Sequence, residues 1–195
     1  NQLLGDLFEG FLNKGVKQSE GQFFTPMPIV RFLVSSLPLE KIIQHSEDIP
    51  SAIDYACGAG HFLTEYAVQI KDYVEKYRPS IPLNEYYSHI TGIEKEYRLS
   101  KVSKVSAFMY GHDETQIIYS DALAPNEDVK ESSYDVLIAN PPYSVKGFLE
   151  TLTESQRKHY SLFNDGLNIA KNNAIEIFFI ERAAQLLKAG GVAGI

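Results

Sequence analysis

Ala52-Ile53-Asp54-Tyr55-Ala56-Cys57-Gly58-Ala59-Gly60-His61-Phe62-Leu63 reads as a short apolar strand, a glycine turn and the start of a helix. Glycine supplies the left-handed backbone and close approach that such a turn needs. From His61 the apolar spacing predicts a helix to Tyr77, so the unit is strand, turn, helix: the opening of a parallel α/β sheet.

Downstream, the pattern repeats. His89 to Ile93 is a second predicted strand ending at Glu94, followed by a helix over Tyr97 to Tyr110. Gln116 to Ser120 ends at Asp121, and Tyr134 to Ala139 ends at Asn140. Pro79 and Pro82 mark a loop, with an insertion around Arg78 to Tyr87 in the first crossover. Ser144 to Asn173 is weakly patterned and reads as a mobile excursion with one short helix around Glu150 to His159. Ile175, Phe178, Phe179, Ala183, Leu186 and Leu187 restore helical spacing, with Glu176, Arg182 and Lys188 expected to face away. Ala189-Gly190-Gly191 should end that helix, and Val192 to Ile195 starts a fifth strand on which the sequence stops. A complete sheet of this type would need further strands, so truncation at the C-terminus is expected.

Upstream, Leu3, Leu4, Leu7, Phe8, Phe11 and Leu12 give an amphipathic helix up to Gly15. In Gly21-Gln22-Phe23-Phe24-Thr25-Pro26, Thr25 is a candidate cap and Pro26 suits the first turn of a helix to about Ser36. Residues 1–48 are therefore expected to form a helical segment, and residues 49–195 an α/β core with helices on both faces of the sheet.

Composition narrows the class. The 195 residues are 44% hydrophobic, enough for one substantial core. No run of about 18 apolar residues and no basic-then-apolar leader occurs, so neither a membrane span nor a secretory signal is expected. The single cysteine, Cys57, allows no internal disulfide and no multi-cysteine zinc site. No metal is expected, and the cytoplasm is the expected compartment. The net charge of −7 carries no overall basic footprint for nucleic acid. Lys95, Arg98, Lys101 and Lys104 recur on one side of a helix and read as a solvated face. Cys57 reads as a small packing residue, and His61 and His112 as surface or helix-start residues.

A parallel sheet binds ligands beyond the carboxyl ends of its strands, where Asp54, Glu94, Asp121 and Asn140 all fall. Glu94 suits a ribose diol, because one carboxylate accepts from two hydroxyls. Asp121 suits an adenine amino group, and Asp54 the positive amino-acid end of a nucleoside ligand. A pyrophosphate would be repelled by so many acids. The turn also lacks the third glycine of a dinucleotide fingerprint, and Glu94 lies well beyond the roughly 20 positions that fingerprint requires. S-adenosylmethionine, with its sulfonium and ammonium, fits instead.

Asn140-Pro141-Pro142-Tyr143 supplies the reaction chemistry. An aromatic exocyclic amine is a poor nucleophile, since its lone pair is delocalised into the ring. Acceptors aimed at its N–H bonds localise that pair, and Asn140 Oδ1 with a nearby backbone carbonyl can serve. The two prolines fix φ and carry no N–H, which leaves a stiff, acceptor-rich backbone. Tyr143 offers a flat face for a planar base.

These motifs together resemble DNA adenine-N6 methyltransferases of the gamma arrangement, in particular the modification subunits of type I restriction systems and related fused restriction-methylation enzymes. Gln22 to Pro26 is similar to that family's N-terminal cofactor motif, and Asp54 to Leu63 to its Asp-Pro-Ala-Cys-Gly-Ser-Gly-Gly-Phe-Leu motif, with departures at Tyr55, Ala59 and His61. The resemblance implies a Rossmann-like S-adenosylmethionine-dependent methyltransferase fold. It implies cofactor contacts at Phe24, Thr25, Asp54, Ala56, Gly58, Glu94, Asp121, Ala122 and Asn140. It implies that Asn140, Pro141, Pro142 and Tyr143 hold an adenine flipped from double-stranded DNA. Partners implied are a separate specificity subunit and a restriction subunit, with target-recognition elements after the catalytic core. Rival readings are a protein-glutamine methyltransferase, which shares Asn-Pro-Pro-Tyr, a non-catalytic cofactor-binding scaffold, and, least supported, a nicotinamide dehydrogenase.

Overall fold

In the computed structural model, residues 25–143, 145, 147–165 and 174–195 are described. The expected helix over Leu3 to Gly15, and the Gln22, Phe23 and Phe24 part of the N-terminal motif, lie outside the described residues. The elements are α1 (Met27–Ser36), α2 (Leu39–His45), β1 (Ala52–Asp54), α3 (His61–Tyr77), α4 (Leu83–Ser88), β2 (Ile90–Glu94) and α5 (Tyr97–Tyr110). They continue with β3 (Gln116–Tyr119), β4 (Tyr134–Ile138), α6 (Phe148–Thr151), α7 (Glu154–Lys158), a 3-10 turn (Ser161–Asp165), α8 (Ile175–Leu186) and β5 (Leu187–Gly194).

The strands form one five-stranded sheet in the order β3-β2-β1-β4-β5. Every described pairing is parallel. The chain builds outward from β1 to β3, then returns to place β4 on the other side of β1. The switch point between β1 and β4 is where such sheets bind ligands. Ala52 pairs with Val136 and Ile53 with Leu137, so Asp54 lies beside Ile138 and Asn140 stands just beyond it on the same rim.

Alternation along the strands distributes the apolar side chains between two cores. Ala52, Ile90, Val136 and Ile138 meet Val30, Val34, Leu39, Ile43, Phe62 and Ile70 from α1, α2 and α3. Ile53, Ile93, Leu137 and Ala139 meet Phe178, Phe179, Ala183 and Leu186 of α8 and residues of the excursion. Helices therefore cover both faces, as the pattern predicted.

Several local expectations are corrected. Thr25 does not cap α1: Pro26 is its N-cap residue and no side-chain bond forms there, the threonine hydroxyl being turned toward Asn140 instead. The proline-marked loop contains α4, whose Tyr86 is buried against the first core. The described part of the excursion forms α6, α7 and the 3-10 turn, and Phe148, Leu149, Leu152 and Tyr160 bury themselves against α8's core. The helix α8 ends at Leu186, before the glycine pair, because its C-cap Leu187 is already extended and begins β5. Arg182 does not face away but is 1% exposed. It stands one turn after Phe178 and one before Leu186, both on the buried face, and that spacing would have revealed it. His112 is buried as well, bonded to Thr64 and Thr115, and its desolvation lowers the imidazole pKa to about 4.

Gly92, in the middle of β2, is required by close packing. A Cβ there would stand 2.6 Å from Leu63 Cδ1, 2.8 Å from Ile117 Cδ1 and 3.0 Å from Cys57 Sγ. Gly92→Ala is expected to lower the stability of the fold by about 1–3 kcal/mol through overpacking. A urea unfolding midpoint unchanged by the substitution would contradict this account.

Candidate functional site

The glycine turn follows β1 and is held by the neighbouring strand. Cys57 N–H donates to the Ile93 carbonyl at 2.9 Å, and Gly58 N–H donates to Glu94 Oε2 at 2.9 Å. Gly58 and Gly60 both have positive φ, of 53° and 88°. A Cβ on Gly60 would meet Ser103 Oγ at 2.7 Å, whereas one on Gly58 would meet nothing within 4 Å among the described residues. Gly60 thus brings α3 against the small-residue face of α5, and Gly58 leaves open space on the ligand side of the turn. Ala59 is buried and His61 opens α3. Tyr55 is buried against Phe179, ring centroids 5.1 Å apart, and fills the second core from within the motif.

Asp54 is 1% exposed. Its Oδ1 accepts from Ala56 N–H at 3.0 Å, while Oδ2 is buried with no hydrogen-bond partner among the described residues. Burial, with Glu94 adding repulsion, pushes its pKa up to about 8. An unsatisfied buried carboxylate oxygen is a costly feature in the free protein and a ready partner for a cation. Glu94 accepts from Glu96 N–H at 2.7 Å through Oε1, as well as from Gly58. Burial raises its pKa, and these two N–H donors pull in the opposite direction. Each oxygen retains a second lone pair for a hydroxyl.

Beyond β3, Asp121 Oδ1 accepts from Leu123 N–H at 3.0 Å and Oδ2 accepts from Lys95 Nζ at 2.7 Å. Lys95 is 70% exposed, so this pair is a surface contact that a ligand can displace. Ala56 is half-buried at the same rim and Ala122 is buried behind it. Cys57 is buried, its thiol pKa pushed well up by desolvation, with Sγ 3.7 Å from Ser103 Oγ; it packs and is no nucleophile.

Asn140 is exposed at the end of β4, and its Nδ2 donates to Thr25 Oγ1 at 3.0 Å. With the amide nitrogen so engaged, Oδ1 occupies the opposite branch of the carboxamide and is presented as an acceptor. Pro141 is buried and Pro142 half-buried, while Tyr143 is 62% exposed beside them. The sequence placed Thr25 and Asn140 in separate motifs; the fold brings them into contact. A separate cleft of about 720 Å³ lies beside β3, lined in part by Lys104, Asp113, Gln116 and Lys130, and none of the site residues borders it. Among the described residues no group of His, Cys, Asp and Glu is arranged to hold a metal ion, and no helix is long and apolar enough to cross a membrane.

Comparison with known proteins bears on the family and the fold. The family described as N-6 DNA Methylase matches residues 1–195. The MjaVII type I restriction enzyme methylase subunit of Methanocaldococcus jannaschii is 29% identical over 170 residues, covering 84% of this chain and 26% of that protein. The type II methyltransferase M.VspI of a Vibrio species is 26% identical over 191 residues, covering 98% of this chain and 40% of that protein. The chain therefore spans well under half the length of these relatives. Among solved structures, the type I restriction-modification methyltransferase subunit of Streptococcus thermophilus superposes with a TM-score of 0.62 at 17% identity, covering 98% of this chain and 38% of that one. That likeness shows the fold.

The raised pKa of Asp54 has a consequence for stability. In the unfolded chain the carboxyl ionises near 3.8, but in the folded protein only near about 8. Across that window the folded state holds a proton that the unfolded state has lost, so this group's contribution to stability falls as pH rises and levels off above about 8. Asp54→Asn is neutral at every pH and removes that slope. Its urea midpoint relative to the parent protein should therefore be higher at about pH 9 than at about pH 5; a pH-independent difference would count against the assignment.

Proposed function

The chain belongs to the N-6 DNA methylase family, and on that premise we propose that it holds the cofactor and target-base sites of an S-adenosylmethionine-dependent methyltransferase acting on adenine N6 in DNA. One observation carries the reading. The carboxamide of Asn140, oriented by Thr25, shares the β1/β4 switch point with the buried, half-unsatisfied carboxylate of Asp54. An acceptor for an amine and an acceptor for a cation stand on one rim.

The residues present fit that cofactor. Asp54 Oδ2 is an orphaned buried acceptor suited to the positive amino-acid end, and Gly58 leaves space where a side chain would intrude. Glu94 retains lone pairs for the ribose hydroxyls, Asp121 and Ala122 border the adenine subsite, and Thr25 and Ala56 complete the rim. Phe24 belongs to the same proposal by its motif, although it lies outside the described residues. S-adenosylmethionine, when bound, supplies an electrophilic methyl group.

The chain's own residues prepare the nucleophile. Asn140 Oδ1 and a backbone carbonyl of the adjacent prolines accept the two N–H bonds of the amine and draw its lone pair out of the ring. Pro141 and Pro142 hold that backbone rigid, so little reorganisation is needed as charge develops. Tyr143, exposed beside them, stacks on the planar base. Reaching a base inside a duplex requires flipping it out, which makes double-stranded DNA with an extruded adenine the proposed substrate. The amine loses its proton only as the new N–C bond forms, so no strong general base is needed.

Relatives carry names from type I and type II systems, and we extend the proposal to a restriction-modification role with separate specificity and restriction subunits. Family membership argues against the dehydrogenase and protein-glutamine readings, and the intact Asn140 to Tyr143 motif argues against a non-catalytic scaffold.

In the intact protein, Asn140→Ala should retain cofactor affinity by calorimetry while methyl transfer to adenine falls by about a hundredfold or more, as when one preorganised hydrogen-bonding group is removed. Thr25→Val should lower the rate by about three- to tenfold, the worth of one orienting hydrogen bond. Undiminished adenine methylation by Asn140→Ala would sink the assignment. A second test uses the Asp54 proton: at about pH 7 the free carboxyl is largely protonated, and pairing with a cation lowers its pKa, so S-adenosylmethionine should release a proton on binding. Titrations in buffers of different ionisation enthalpy would reveal that release, and equal apparent heats would contradict it.

A further inference from the structure

We propose that Arg182 is a positioning residue for recognition of the cofactor's adenine, acting on Asp121 through a single peptide plane, with Tyr160 holding the next one; this rests on the reading above. Arg182 is the largest fully buried side chain among the described residues, and it lies on α8, within hydrogen-bond reach of the turn after β3. Its Nε donates to the Ala122 carbonyl at 3.1 Å. Its Nη1 meets Glu131 Oε1 at 2.7 Å, Gln185 Oε1 at 2.9 Å and His159 Nε2 at 3.1 Å. Burying a guanidinium is expensive, and replacing a buried ion pair by apolar groups often stabilises a protein. Stability alone is thus a poor account of this residue.

The geometry of the turn supplies a better one. Across a trans peptide, the carbonyl and the following N–H point in opposite directions. With the Ala122 carbonyl drawn inward to Arg182, the Leu123 N–H is directed outward. That N–H is the donor to Asp121 Oδ1 at 3.0 Å. Arg182 therefore sets the peptide plane, the peptide plane sets the carboxylate, and the carboxylate is left on the rim as an acceptor. The next plane is fixed in the same way. Tyr160 donates its hydroxyl to the Leu123 carbonyl at 2.9 Å, and the Ala124 N–H on the other side of that peptide donates to the Asp121 carbonyl at 3.0 Å.

The same helix ties down the segment that follows the target-base motif. Glu181 accepts from Ser161 N–H at 2.6 Å and from Leu162 N–H at 3.3 Å, and Gln185 Nε2 donates to the His159 carbonyl at 3.0 Å. Successive polar residues of α8 thus hold the adenine turn on one side and the excursion on the other.

Orientation of Asp121 matters for an exocyclic amino group, which adenine has and hypoxanthine lacks. The test is the ratio of affinities of the intact protein for S-adenosylhomocysteine and S-inosylhomocysteine, measured by calorimetry. The parent protein should favour the adenosyl compound by about tenfold or more, since a site built to accept a donor discriminates against its absence. Arg182→Met should bring the two within about threefold of each other, Arg182→Lys should recover part of the preference, and Tyr160→Phe should lower it by about two- to fivefold. A variant that weakens both compounds equally, leaving the ratio as in the parent, would show a merely structural role and overturn the inference. If Arg182→Met does not fold, Tyr160→Phe decides by the same ratio. A parent protein that binds both compounds without preference also overturns it, whereas one that binds neither overturns the cofactor reading itself.

Discussion

The position of β1 between two parallel neighbours is the constraint on which the rest of this structure depends. Its three residues are buried, and its pairing with β2 on one side and β4 on the other creates the switch point of the sheet. Crossover helices leave on opposite faces at that point, which opens a crevice at the carboxyl ends. Because β1 is so short, Asp54 is both its last paired residue and the first residue of the rim. The carboxylate cannot retreat to solvent without unpairing the strand. Its unsatisfied oxygen is therefore a consequence of topology, tolerated because the group stays protonated until about pH 8.

The polar side chains around the crevice are arranged with unequal costs. Glu94 and Asp121 are oriented by backbone N–H groups of the surrounding turns. Among the described residues, Asp54 is hydrogen-bonded through one oxygen and Asn140 through its amide nitrogen. Those partly satisfied groups are the ones to which the proposed chemistry assigns the strongest interactions. Stability elsewhere comes from the two apolar cores, and the guanidinium of Arg182 and the imidazole of His112 are among the polar groups buried with them.

Arg182, Thr25 and the excursion depart from local pattern for related physical reasons. The charge of Arg182 favours an outward face, yet its spacing from Phe178 and Leu186 places it inward, and periodicity prevails over polarity. Thr25 before Pro26 has the composition of a helix cap, but a cap and a side-chain partner elsewhere in the fold are indistinguishable from local residues. The excursion after Tyr143 is polar in composition, and scattered apolar residues such as Phe148, Leu149, Leu152 and Tyr160, with hydrogen bonds to Glu181 and Gln185, fasten its described part to α8 and its core. Such sparse anchors carry no periodic signal.

Strand alternation, glycine placement and polar strand ends are properties of neighbouring residues, and the sequence by itself determined them: the parallel α/β class, the boundaries of α3 and α5, and the rim of Asp54, Glu94, Asp121 and Asn140. Contacts between residues far apart in the chain were decided only by the tertiary structure. It alone set Thr25 on Asn140, left Asp54 Oδ2 without a donor, and passed the hold of Arg182 through one peptide to Asp121. Local pattern encodes which side chains face a strand end or a helix face, whereas hydrogen bonding across the chain depends on where separate elements are brought to rest.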